Sequence, residues 1–154
     1  MAAIAARHEQ FGKMRAEGKP ITLANSLTVA EHVAESCSRS SAELNELQPV
    51  TGTERYSEQC RSDIEQLAEV TAKQVTFTKR LADQSDSSVT SALLEEGAAL
   101  GAKLDEFPPK LMSCATGFRR DFLRSGHEIP EEATRTIPDL LAEENATIAA
   151  MIRS

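Results

Sequence analysis

From about residue 21 to 48, Leu23, Leu27, Ala30, Ala34, Cys37, Ser41 and Leu44 follow one another at alternating steps of four and three. That repeat holds one stripe of an α-helix against a neighbour over three heptads, whereas a strand, with its two-residue period, cannot use it. Val33 and Leu47 widen the stripe on one flank. Its centre is small: Ala, Ala, Cys and Ser stand where a zipper would carry Leu or Ile. At about 25 cal/mol per Å² of apolar surface, such a seam contributes far less than a leucine zipper. Regular register without bulk predicts a helix sandwiched between several neighbours rather than one strand of a two-stranded coil.

Proline and glycine cut the remaining chain into helical lengths. Breaks are expected at Gly18-Lys19-Pro20, Pro49–Gly52, the polar run 83–88, Pro108-Pro109, and Ser125-Gly126 with Pro130, and Pro138 reads as a late restart or kink. Between residues 53 and 84, Ile64, Leu67, Ala68, Val70, Thr71, Val75, Phe77 and Leu81 form a broad apolar face, with Thr53 as a possible N-cap. The next helix is expected over 87–107, opened by Asp86-Ser87-Ser88, with Gly97 and Gly101 marking a close helix contact. Leu111, Cys114, Ala115, Phe118 and Phe122 stripe the helix after Pro109, and Ile137, Leu141, Ile148, Met151 and Ile152 stripe the last one. No convincing alternating segment appears. The fold class is therefore all-α: an elongated antiparallel helical bundle with coiled-coil-like packing, of five to six helices, in one domain over 1–154. The N-terminal helix over 1–18, with few large apolar residues, is expected to be peripheral.

Composition narrows the function classes. Hydrophobic residues make up 40 % of the chain, but 22 of them are alanine and six residues are aromatic. A pocket for a drug-sized ligand is hard to line with so few rings. No apolar run approaches the roughly 20 residues of a membrane span. The three histidines, His8, His32 and His127, lack the Glu-x-x-His spacing of dinuclear carboxylate sites. Cysteines 37, 60 and 114 are too dispersed for a zinc site, and no phosphate loop, dinucleotide fingerprint or nucleophile elbow occurs. No catalytic residue, metal site or cofactor is expected. Each cysteine falls on an apolar stripe and reads as a small buried hydrophobe, and their odd number predicts a cytoplasmic, reducing compartment. Residues 1–20 do not read as a signal peptide, although Arg7, Lys13, Arg15 and Lys19 leave organellar import open as an alternative.

Charge is most informative locally. The chain as a whole carries −7, which disfavours a dedicated nucleic-acid surface. Against that background, Phe118-Arg119-Arg120-Asp121-Phe122-Leu123-Arg124 is a basic amphipathic stretch. The leading functional expectation is a non-enzymatic helical interaction protein, a structural or adaptor subunit in a homo- or hetero-oligomer with protein partners. Ile4, Phe11, Met14, Leu111, Phe118, Arg119, Arg120, Phe122 and Arg124 are its expected interaction residues. One alternative is a nucleic-acid-associated small subunit using the 119–124 stretch. Another is a small all-α enzyme whose site brings His32 or His127 to a cysteine or carboxylate across helices.

Overall fold

A computed structural model describes residues 2–84 and 90–153, with the side chains of residues 135–137 outside the description. The expected caps Asp86-Ser87-Ser88, Val89 and the Ile137 side chain lie outside the described residues. Six helices run Ala2–Ala16 (α1), Leu23–Glu46 (α2), Glu54–Ala82 (α3), Ser91–Asp105 (α4), Phe107–Arg124 (α5) and Glu131–Arg153 (α6). They account for 84 % of the described residues, which contain no strand. The protein is all-α.

Helix ends follow local chemistry. Thr22 caps α2, its hydroxyl accepting from the Asn25 N–H at 3.1 Å, and Thr90 caps α4 in the same way through Leu93. Thr53 precedes α3 but does not cap it. Its fully buried hydroxyl donates instead to the Val50 carbonyl at 2.7 Å, and the Glu54 carboxylate takes the Gly52 N–H. Pro138 neither restarts nor ends α6, which runs through it. A proline costs its helix one backbone hydrogen bond, and here a helix of 23 residues continues through the exposed Pro138.

The helix α2 is sandwiched, as its thin seam predicts. On one side Cys37 meets Thr71 of α3, whose pairing with α2 is the most extensive among the described residues. On the other, Asn25 donates to the Ile152 carbonyl of α6 and His32 pairs with Glu144 of α6 at 2.7 Å, while Val33 lines a cavity shared with Ile4 and Ala5 of α1 and Leu67 of α3. Val29, one helical turn after Asn25 and three residues before His32, shares their face and is fully buried.

Two features depart from a simple up-and-down bundle. First, α4 and α5 do not form a hairpin at Pro108-Pro109. The single residue between them, Glu106, keeps a helical conformation, which leaves no backbone length to reverse direction. The two helices instead form one broken rod along α3: Phe77 meets Gly97 and Arg80 pairs with Glu96 near one end, while Cys60 meets Cys114 and Tyr56 meets Gly117 near the other. Both halves run antiparallel to α3. Second, α1 and α6 run parallel. Ala2 shares a groove with Leu140 and Glu144, Gln10 bonds Asn145, and Met14 lies near Ala149 and Ile152.

The first helix is therefore not peripheral. It supplies Ala3 and Ala6, 1 % and 0 % exposed, and Phe11 to the common core with Val29, Val33, Leu67, Phe107, Leu111 and Ile148. Small residues on α1 let its backbone come close to α2 and α6, so packing density substitutes for side-chain bulk.

The glycines of α4 and α5 show where backbones are close. A Cβ at Gly97 would stand 2.8 Å from Phe77 Cζ, and one at Gly117 would overlap the Tyr56 ring, whereas Gly101 has open space beside it. The expected close contact thus exists at Gly97 and not at Gly101. Gly101→Ala is expected to stabilise the protein by about 0.5–1 kcal/mol through helix propensity. Gly117→Ala should destabilise it by about 1 kcal/mol or more through overpacking. Urea midpoints at unchanged slope check both; equal shifts of the same sign would refute the packing at Gly117.

The cysteines also differ from expectation. Cys60 of α3 and Cys114 of α5 form a disulfide, with Cα atoms 5.5 Å apart, and Cys37 remains a buried thiol. Only Cys37 is the small buried hydrophobe that the sequence predicts. A disulfide belongs to oxidising surroundings, so the three cysteines give no support to the expected reducing, cytoplasmic compartment. No helix among the described residues is long and apolar enough to cross a membrane.

Candidate functional site

The fifth helix carries most of the expected interaction residues, and the fold sorts them. Its inner face buries Phe107, Leu111, Cys114 and Gly117 against α3, at steps of four, three and three. Pro108 and Pro109 occupy the first turn, where the missing N–H groups have no partner to lose. Leu111 is thus a core residue, as is Phe11 of α1, and Ile4 and Met14 pack partly buried against the same core. Those four positions face the protein's own interior.

Towards the C-terminal end of α5 the half-buried Phe118 stacks on Phe122, with centroids 5.9 Å apart, and Phe122 packs on His127 at 4.8 Å. His127 Nε2 lies 3.4 Å from the Thr51 carbonyl, which ties this aromatic group to the α2–α3 loop. Here too the aromatic surface is largely used within the chain.

The arginines divide. Arg120 donates to the Tyr56 hydroxyl at 3.0 Å and to Asp121 at 3.2 Å, and its guanidinium lies over the Tyr56 ring. The Tyr56 hydroxyl, then Asp121, hold its pKa above the ordinary arginine value. Its role is internal: it fastens α5 to the start of α3. Arg119 and Arg124 are exposed and make no ion pair among the described residues, while Lys110 is engaged by Glu106 at 3.3 Å.

Sequence reasoning overlooked the outward stripe next to these arginines. Met112 is 63 % and Leu123 47 % exposed, and Met112, Thr116, Arg119 and Leu123 follow at steps of four, three and four. A second apolar phase offset from the buried one was the available signal. The outer face of α5 therefore combines two large exposed apolar side chains with Arg119, and the exposed Arg124 stands about a third of a turn round the helix at its end, neither arginine having an ion pair among the described residues of a chain of net charge −7.

The histidines do meet carboxylate or carbonyl oxygens across elements, His32 with Glu144 and His127 with Thr51. Among the described residues neither histidine hydrogen-bonds to Cys37 or to the disulfide, and no group of three or more His, Cys, Asp or Glu gathers as a metal site. Apart from the α5 face, the molecule holds an apolar cavity of about 190 Å³ between α1, α2, α3 and the α4–α5 junction. That volume lies below the roughly 300–1,000 Å³ of pockets for drug-sized ligands, whereas wider, more open grooves of about 890 Å³ between α3 and α4 and about 500 Å³ beside Cys37 fall within it. Comparisons with protein-family models, with curated proteins and with solved structures give no match to this chain.

Proposed function

We propose that the protein is a non-enzymatic helical interaction subunit, and that the outer face of α5 docks an acidic amphipathic helix of a partner protein. One observation carries the reading: Met112, Arg119 and Leu123 lie on one exposed face of α5, Arg124 stands exposed in the same helix's last turn, and both arginines lack an ion-pair partner among the described residues of an acidic protein. An apolar stripe flanked by unpaired cations matches a helix that presents Leu or Ile between Asp and Glu. Apolar burial would supply affinity, and the charges would set partner choice and encounter rate. The same arginines could serve the nucleic-acid alternative, but exposed apolar residues interleaved with them would then contribute little.

A photo-cross-linking amino acid at Met112 of the full chain tests this in the native cell, with position Glu69 on α3 as the control. The expected product is a defined protein adduct from position 112 and none from 69. Combining it with Arg119→Glu and Arg124→Glu should reduce that adduct at least about ten-fold, because two attractive contacts become repulsive. Adducts to nucleic acid or lipid, or no defined adduct, would overturn the proposal.

A further inference from the structure

The apolar cavity lies among the best-buried side chains of the protein. Val33 of α2, Leu67 of α3 and Phe107 and Leu111 of the broken rod line it, and each is at most 3 % exposed. Its polar wall residue in the interior, Thr71, is satisfied, since its hydroxyl donates to the Leu67 carbonyl at 2.9 Å. Nothing inside calls for water. An apolar void of about 150 Å³ in a helical protein stays dry and admits benzene, so 190 Å³ accommodates an apolar group of six to eight carbon atoms.

At the mouth stand Arg7 and His8 of α1. Arg7 is half-buried, and its guanidinium lies 5.9 Å from the Phe11 ring centroid. It makes no hydrogen bond or ion pair among the described residues. Burial, and then the charge of Arg15, lower its pKa, while Asp105, which lines an adjoining groove with Arg7 and His8 without pairing with the guanidinium, acts in the opposite sense. A guanidinium carries five donors in a planar fork that matches a carboxylate, and withdrawing it from water without an acceptor is costly. The ligand that resolves both features has an anionic head and a short apolar body.

We propose that this cavity is a binding site for a small monocarboxylic acid, its aliphatic or aromatic body among Val33, Leu67, Phe107 and Leu111 and its carboxylate on Arg7. The site lies apart from the outer face of α5, so it stands or falls independently of the docking reading.

Hexanoate and benzene are the probes, titrated into the full-length protein and followed by methyl chemical shifts in NMR. Hexanoate is expected to shift the methyl resonances of Val33, Leu67 and Leu111 saturably. Arg7→Gln should weaken hexanoate at least ten-fold and leave benzene binding unchanged. Leu104→Phe, at the half-buried rim, should weaken both by filling the entrance. Should that variant fail to fold, Ala5→Leu at the exposed part of the rim gives the same reading. Benzene binding without hexanoate binding, equal hexanoate affinity in Arg7→Gln, or no saturable shift with either probe would each overturn the proposal.

Discussion

Reduction of the Cys60–Cys114 disulfide is expected to lower the melting temperature of the whole protein by roughly 10 °C. The bond joins the first third of α3 to the middle of α5 and closes a loop with a sequence separation of 54. Constraining a loop of that length in the unfolded chain stabilises the native state by about 4 kcal/mol in the chain-entropy account. For a protein near 150 residues, each kcal/mol corresponds to about 2–4 °C. The effect is global rather than local, because the bond holds the broken α4–α5 rod against the helix on which both halves pack. Melting followed by far-UV circular dichroism, with and without reductant, measures it. Cys60→Ala with Cys114→Ala should melt like the reduced protein and ignore reductant. Cys37→Ala should keep the full response, since that thiol is buried, its pKa is pushed up by the burial, and it takes no part in the bond. A reductant shift below about 2 °C in the wild-type protein would refute a structural disulfide at this position.

Why this bond was hidden in the sequence, when the helices were not, is a matter of range. Helical periodicity is local: the steps from Leu23 to Leu44 and the face from Ile64 to Leu81 are written within single elements, and both elements exist as predicted. A disulfide between positions 60 and 114 depends on α3 and α5 being antiparallel in one particular register. That register follows from Glu106 continuing the rod, which no residue type at 106 announces. The N-terminal helix shows a second limit. Judged by Ile4, Phe11 and Met14 it is thin, yet Ala3 and Ala6 are among the least exposed residues of the chain. Alanine packs by letting backbones approach, and a count of large side chains cannot register that. The candidate surface on α5 was half legible. Arg119 and Arg124 stood out by charge, but only the position of Tyr56 separates Arg120 from them, and only the burial of Leu111 assigns the outer phase to Met112 and Leu123. The cavity left no trace in the sequence, since the residues around it come from five helices.

Val29→Asp is expected to cost about 4 kcal/mol or more, enough to unfold much of a protein with an ordinary stability margin. The heptad seam taken alone would place the sensitive position at Leu27, with Val29 outside the stripe. In the folded protein the order is reversed: Val29 is 0 % exposed, whereas Leu27 is half-buried. The reason lies in the sandwich. One face of α2 covers α3, and the face that includes Asn25, Val29 and His32 is closed by α6 through the Ile152 and Glu144 contacts, with α1 packed beside it. A carboxylate at the fully buried position 29 must lose its hydration or force the covering helices away. Leu27→Asp keeps access to water and should cost only about 1–2 kcal/mol. Glu69→Lys, at an exposed position of α3, should stay within about 0.5 kcal/mol of the wild-type protein. Urea unfolding of the three variants decides between a one-faced and a two-faced α2. If Leu27→Asp is the more damaging of the two seam-helix changes, α2 pairs with α3 alone, and α1 and α6 do not close over it.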